Sequence, residues 1–281
     1  MNSCLYIVGT PIGNLKDITL RAIDALKSVD LIACEDTRRT KILLDRYSIK
    51  KPTTSYHKFN IKSKTKYLTG QLKLGKNIAL VSDSGMPGIS DPGQELIQVA
   101  AQAGIKIEVV PGPSAAISAL SVSGIGTGRF VFEGFLPTGT ADRKKRLQAL
   151  AKEGRTVILY EAPHRLLKTL TNLYDNLGDR YICIARELTK KFEEQIRGSV
   201  SEMIDKFVKV KPRGEFVIVI EGKEELEERG EIEVKRLRGE EVKKLMGDLI
   251  GEGVSKSRVV KILAKRLNVP KNQLYRETLN I

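Results

Sequence analysis

Cysteine and histidine are scarce in this chain: its 281 residues include three cysteines and two histidines. Cys4, Cys34 and Cys183 lie far apart, each in an apolar run. They read as small core residues, not as a disulfide framework. His57 and His164 are remote from each other and from the cysteines, so no metal centre is expected. No apolar run approaches the roughly 20 residues needed to span a bilayer. The opening segment, Met1 to Gly9, reads as a strand and a turn without the basic flank and length of a signal peptide, so a cytoplasmic setting is expected. Common ligand fingerprints are missing too. There is no G-x-G-x-x-G after the first strand, which disfavours a nicotinamide or flavin site, and no G-x-x-x-x-G-K-[ST] phosphate loop. A G-x-S-x-G nucleophile elbow is also absent, which argues against a serine hydrolase.

Positive charge is abundant. Lysine and arginine number 48 against 34 acids, for a net charge of +14. Such a surface attracts polyanions, of which nucleic acid is the commonest in the cytosol. The composition, 41% hydrophobic and 29% charged, is ordinary for a folded chain with a sizeable core.

Short apolar runs recur at Leu5–Val8, Leu31–Cys34, Ile78–Val81, Ile107–Val110, Phe130–Phe132, Val157–Tyr160, Ile182–Ala185 and Phe216–Ile220. Their length and β-branched content predict buried strands. Helix-period segments lie between several of them. Leu15, Ile18, Ala22, Ile23, Leu26 and Val29 form one amphipathic series; Asp91-Pro92 is expected to open another as N-cap and first helical residue. Strands alternating with helices predict an α/β fold with a mostly parallel sheet covered on both faces. The organisation expected is an amino-terminal α/β lobe over 1–123, a second α/β lobe over 124–222, a linker over 223–236 and a basic helical domain over 237–281. The tail carries apolar stripes at Val242, Leu245, Met246, Leu249, Ile250 and at Val259, Ile262, Leu263, Leu267.

In open parallel sheets ligands bind beyond the carboxyl ends of the strands. The chemically rich clusters fall there: Gly9-Thr10-Pro11-Ile12-Gly13-Asn14, Glu35-Asp36-Thr37-Arg38, Ser82-Asp83-Ser84-Gly85-Met86, Pro111-Gly112-Pro113-Ser114-Ala115, Tyr160-Glu161 and Arg186-Glu187-Leu188-Thr189-Lys190. One Gly/Pro loop is ordinary turn architecture, but several on one edge suggest a site. Gly85 and Gly88 allow close backbone approach, and Asp83 can face a cation or serve as a turn aspartate.

Together these loops resemble the tetrapyrrole-methylase superfamily, which comprises S-adenosylmethionine-dependent methyltransferases. Within it they are similar to the small-subunit (16S) ribosomal RNA cytidine 2′-O-methyltransferases. The similarity runs from about Leu5 to Glu221 and resumes at Leu274-Tyr275. The chain departs from that pattern at Gly9, at Lys58-Phe59 and at Met86-Pro87-Gly88, and His57 is left out of the catalytic set.

The resemblance implies two α/β lobes with S-adenosyl-L-methionine held between them, and a homodimer. It implies cofactor contacts from Pro11, Asp83, Gly85, Met86, Ser114, Ala115, Tyr160, Leu188 and Gly214. Methylation of a ribose hydroxyl needs the hydroxyl aligned and its proton removed. Glu35, Asp36, Glu161 and Glu187 are candidate bases, and Arg38, Arg186 and Lys190 candidate phosphate or hydroxyl contacts. The Glu35–Arg38 run is favoured because packing has little use for it. RNA contacts are expected from Arg143-Lys144-Lys145-Arg146, from Lys62, Lys64 and Lys66, and from the tail's Lys256, Arg258, Lys261, Lys265, Arg266, Lys271 and Arg276. The alternatives are a precorrin-type methyltransferase, which requires no basic tail, and a non-catalytic RNA-binding assembly factor, which requires no strand-end loops.

Overall fold

Along the apolar runs successive side chains leave opposite faces, so each strand can bury both sides under helices. The computed structural model, which describes residues 3–223, 244, 246–248, 250–251, 255–267 and 271, has this alternation. In chain order its elements are β1 (Cys4–Val8), α1 (Leu20–Ser28), β2 (Leu31–Cys34), α2 (Thr37–Arg46), β3 (Thr53–Ser55), α3 (Ile61–Lys73), β4 (Ile78–Leu80), α4 (Gln94–Gln102), β5 (Lys106–Val110) and α5 (Ala115–Ser123). They continue with β6 (Phe130–Phe135), α6 (Thr140–Leu150), β7 (Thr156–Glu161), α7 (Leu166–Leu177), β8 (Tyr181–Arg186), β9 (Glu194–Ser199), α8 (Val200–Lys209), β10 (Phe216–Ile220) and α9 (Lys256–Leu267).

The first sheet has the order β3-β2-β4-β1-β5, with every neighbouring pair parallel. Leu5, Ile7, Leu31, Ala33, Ile78 and Leu80 share a buried cluster with Leu68 and Leu72 of α3 and Leu96 and Ala100 of α4. Their sequence neighbours Val8, Ile32, Cys34, Ala79 and Val81 share the other cluster with Leu26 of α1 and Leu43 and Leu44 of α2. Each such leucine or isoleucine contributes about 1.5–3 kcal/mol by burial. All three cysteines are buried.

Strand order also fixes where a ligand site can form. The chain leaves β1 for β2 on one side, and leaves β4 for β5 on the other, although β1 and β4 are neighbours. The two connections cover opposite faces of the sheet, α1 on one and α4 on the other, so the loops after β1 and β4 part at the carboxyl ends, where a crevice opens.

The second sheet has the order β6-β7-β10-β8-β9, with β6 and β7 parallel. The chain divides into two compact units. One comprises Met1–Val122 with Ile184–Ile196 and Gly214–Val217; the other comprises Ser123–Cys183, Arg197–Arg213 and Ile218–Ile281. Among the described residues no helix is long and apolar enough to cross a membrane.

The structure departs from expectation at several places. Strands β3 and β9 have no apolar run to announce them, because each is the edge of its sheet and only partly buried. The series from Leu15 is not one helix: a 3₁₀ turn over Leu15–Asp17 precedes α1, whose N-cap is Thr19. Asp91 does not cap a helix; α4 begins after Gly93, while Ser82 hydrogen-bonds the Asp91 carboxyl. At the start of the linker, Lys223 N–H donates to the Glu153 carbonyl, and Glu221 is buried. The rest of the linker, like Val242, Leu245, Leu249, Arg276 and the Leu274-Tyr275 match, lies outside the described residues. In α9, Val259, Val260, Leu263 and Ala264 are buried, while Lys256, Arg258 and Lys261 are exposed.

The expected basic patch on α6 is half structural. Arg143 is 6% exposed. Its guanidinium donates to Asn172 Oδ1 at 2.7 Å, Thr169 Oγ1 at 2.7 Å and the Pro137 carbonyl at 3.4 Å. Thr169 in turn donates to the buried Glu161 carboxylate, which also pairs with Arg165 at 3.3 Å. Glu161 is therefore held within this buried network. Arg146 pairs with Glu133, which leaves Lys144 and Lys145 as the solvent-facing pair of the four. Because removing Arg143 orphans buried acceptors, Arg143→Leu should lower the unfolding free energy by on the order of 3 kcal/mol. Lys144→Ala should change it by under about 0.5 kcal/mol. Urea unfolding of the two variants checks both values.

Candidate active site

The loops after β1, β4 and β5 meet backbone to backbone. Thr10 N–H donates to the Gly85 carbonyl at 2.9 Å, and Gly85 N–H returns a bond to Thr10 at 3.1 Å. Ser82 Oγ also donates to the Gly85 carbonyl, at 3.1 Å, closing the third loop on itself. Gly9 is glycine for a steric reason: a Cβ there would stand 2.7 Å from the Gly112 backbone and 2.6 Å from Met86 Sδ. The Met86 side chain is thus packed against the core of the first unit. Pro11 is buried; Ser114 and Ala115 stand half-buried at the amino end of α5.

Asp83 ties the third loop to the second. Its Oδ1 accepts from the Asp36 amide at 3.0 Å, and its Oδ2 pairs with Arg39 at 3.4 Å. Asp36 is the N-cap of α2, accepting from Arg38 N–H at 2.8 Å and holding the Arg38 guanidinium through both oxygens at 3.1 and 2.7 Å. The Arg38 bonds hold the Asp36 carboxyl well below the usual range, which makes it a poor proton acceptor. Glu35 differs. Burial pushes its carboxyl up, and Asp91 and Asp83 push the same way, against Arg39 and His57.

The connection from β8 to β9 carries two non-glycine residues in the left-handed region, Glu187 at φ 50° and Thr189 at φ 65°. Such residues cost of order 1 kcal/mol each and need local compensation. Lys190 Nζ supplies it, donating to Glu187 at 2.9 Å and Glu215 at 2.8 Å. Burial raises the Glu187 carboxyl, but the Glu215 amide and the Lys190 ammonium outweigh it and pull the group below its ordinary value. Gly214, at φ 89°, leaves room for this side chain: a Cβ there would stand 2.5 Å from Glu187 Cγ. Leu188, buried between the two strained residues, lies with its carbonyl against Gly13, and Asn14 N–H donates to Thr189 Oγ1 at 3.0 Å.

Two cavities result. One of about 330 Å³ is lined by Thr10 to Gly13, by Arg39, Ile42 and Leu43 of α2, by Ser82 to Ser84, and by Lys190 and Glu215. Another of about 530 Å³ is lined by Glu35 to Arg39, Ser55, His57 to Phe59, and Asp83. They share Asp83 and Arg39. Both sizes suit small-molecule or nucleotide sites. Of the residues singled out by sequence, Pro11, Glu35, Asp36, Arg38, Asp83 and Lys190 line one or both cavities. Gly85, Met86, Ser114, Ala115, Leu188 and Gly214 belong to the same unit but line neither. Tyr160 belongs to the other unit, where its ring packs edge-on against Phe132 and Phe135 at 5.0 and 5.7 Å. Arg186 pairs with Glu194 at 3.5 Å. Sequence reasoning missed Arg39, which is one turn-residue beyond the Glu35–Arg38 run, and Glu215, which reaches Lys190 only through strand pairing.

The donor set suits a sulfonium amino acid. Asp83 offers a carboxylate to a cation, the Gly85 and Gly112 loops offer backbone edges, and the amino end of α5 at Ala115 favours a carboxylate.

Comparison with known proteins agrees with this fold. The family of Tetrapyrrole (Corrin/Porphyrin) Methylases matches residues 4–204. The chain is 48% identical over 278 residues to the ribosomal RNA small subunit methyltransferase I of Synechocystis sp., covering 99% of this chain and 98% of that protein. It is 52% identical over 220 residues to the protein of the same name from Thermotoga maritima, covering 78% of this chain and 99% of that one. Among solved structures, the uroporphyrin-III C-methyltransferase of Thermus thermophilus complexed with S-adenyl homocysteine has a TM-score of 0.57 at 17% identity, over 78% of this chain and 97% of that one, and so shares the fold. The chain belongs to the tetrapyrrole methylase family and, within it, is a methyltransferase of the ribosomal RNA small subunit methyltransferase I group.

Proposed function

We propose that the chain transfers a methyl group from S-adenosyl-L-methionine to the ribose 2′-hydroxyl of a cytidine in 16S ribosomal RNA. The proposal extends to its setting: a cytoplasmic homodimer acting on RNA within the small ribosomal subunit. Support comes from the relatives, which are ribosomal RNA small subunit methyltransferases, from the S-adenyl homocysteine of the fold neighbour, and from the net charge of +14. The observation that carries the chemistry is Glu35, a half-buried carboxylate facing the larger cavity beside Arg38 and Arg39.

S-adenosylmethionine, when bound, supplies a methyl group on a positively charged sulfur. In this reading Asp83 balances that charge, Ser114 and Ala115 take the amino-acid carboxylate, and Pro11, Gly85, Met86, Leu188 and Gly214 complete its walls. Met86 serves through its backbone, its side chain being packed. Glu35 accepts the proton of the 2′-hydroxyl. Its burial makes it a stronger base than an ordinary glutamate. Arg38 and Arg39 hold flanking phosphates. Asp36 positions Arg38, and Glu187 and Lys190 hold the strained loop in place. The basic tail, in this reading, adds affinity for the RNA backbone.

Two measurements test the assignment. In single-turnover transfer of labelled methyl from S-adenosylmethionine to small ribosomal subunits, Glu35→Gln should be slower by on the order of 100-fold. A base with a raised pKa is lost by protonation as pH falls, so the wild-type rate should drop through a midpoint above 4.5, and the variant should lose that limb. Full activity of Glu35→Gln rules it out as the base. In calorimetric titration, Asp83→Asn should bind S-adenosylmethionine at least about tenfold more weakly, the order expected for a lost charged hydrogen bond; unchanged affinity removes Asp83 from the cofactor site.

A further inference from the structure

Phe59 is 84% exposed, at the rim of the larger cavity. Its exposure is not that of a loose loop. Asn60 N–H donates to the His57 carbonyl at 2.9 Å, and Asn60 Oδ1 accepts from His57 N–H at 2.9 Å, so the ring stands at the tip of a tight turn. Asn60 Nδ2 anchors that turn to Ser55 at the end of β3. Lys58 Nζ lies over the ring, 4.9 Å from its centroid, and the His57 ring meets it edge-on at 6.0 Å. An aromatic ring presented to water this way contributes nothing to the core. The same cavity is lined by the cations Lys58, Arg38 and Arg39 and by the acids Glu35, Asp36 and Asp83, with Arg38 paired to Asp36 and Arg39 to Asp83.

A flat exposed ring with an ammonium over its face, at the rim of a cavity, matches one ligand chemistry closely, an unpaired nucleobase with its adjoining phosphate. A membrane surface or an apolar protein partner would need a broader apolar patch than one ring. We propose that Phe59 is the stacking platform for an unpaired base of the RNA strand, with Lys58 polarising the ring and contacting the adjoining phosphate. This inference rests on the proposed RNA substrate and adds to it the residue that holds the strand at the cavity that Glu35 also lines.

The chain contains no tryptophan, so Phe59→Trp installs a single fluorescent reporter at the platform. Titration with single-stranded oligocytidylate should quench its emission, and S-adenosylmethionine alone should not. Phe59→Leu, which keeps an apolar side chain but removes the π-face, should bind the same oligonucleotide about five- to hundredfold more weakly. Unchanged emission at saturating oligonucleotide, quenching by S-adenosylmethionine alone, or wild-type RNA affinity in Phe59→Leu each overturns the platform. Methyl transfer by the wild type to small ribosomal subunits, measured alongside, separates the two claims. Activity there with an unaffected Phe59→Leu removes the platform and leaves the function standing. Absence of transfer removes the function, and the oligonucleotide titration then decides the platform on its own.

Discussion

The site depends on one carboxylate. Asp83 leaves the end of β4, accepts a bond from the Asp36 amide and pairs with Arg39. Those contacts join the third loop to the amino end of α2, and the Thr10–Gly85 bridge joins it to the first loop. The two cavities then share a wall rather than drifting apart. Charge-assisted bonds of this kind resist solvent better than neutral ones. They also set the acid–base character of their neighbours, since Asp83 is among the charges that raise Glu35.

Much of the fold was legible in the sequence because parallel strands are buried on both faces. A run such as Leu31–Cys34 or Phe216–Ile220 then needs no alternation to be recognised. The edges were not legible, for the same reason: Thr53–Ser55 and Glu194–Ser199 have one partner strand and no need of apolar residues. Loops at strand ends were visible from their Gly, Pro and acidic content. Which of their side chains meet was not. Glu35 and Asp36 are adjacent in sequence, yet one is pushed up by burial and the other is pulled down by Arg38. No pattern in the letters separates an N-cap from a free carboxylate one residue away. Arg39 and Glu215 enter the site through a helical turn and a strand pairing respectively, neither of which leaves a spacing signature.

Charge gave the opposite kind of error. Four consecutive basic residues at Arg143–Arg146 read as a surface patch, but α6 turns Arg143 inward to bridge Asn172, Thr169 and Pro137. A buried guanidinium with several partners fixes the register of neighbouring helices, and its loss leaves acceptors without donors. Net charge therefore overstates the surface available to a polyanion. Among the described residues of the expected patches, the exposed cations Lys144, Lys145, Lys62, Lys66, Lys256, Arg258 and Lys261 are spread along separate elements.

The loop from Glu187 to Lys190 has a consequence for substrate binding. Its left-handed backbone is kept by one ammonium shared between two carboxylates. Any phosphate that engages Lys190 does so in competition with Glu187 and Glu215. Torsional order in the loop therefore rests on a charge already divided between two carboxylates, and any anion that drew it away would loosen the backbone.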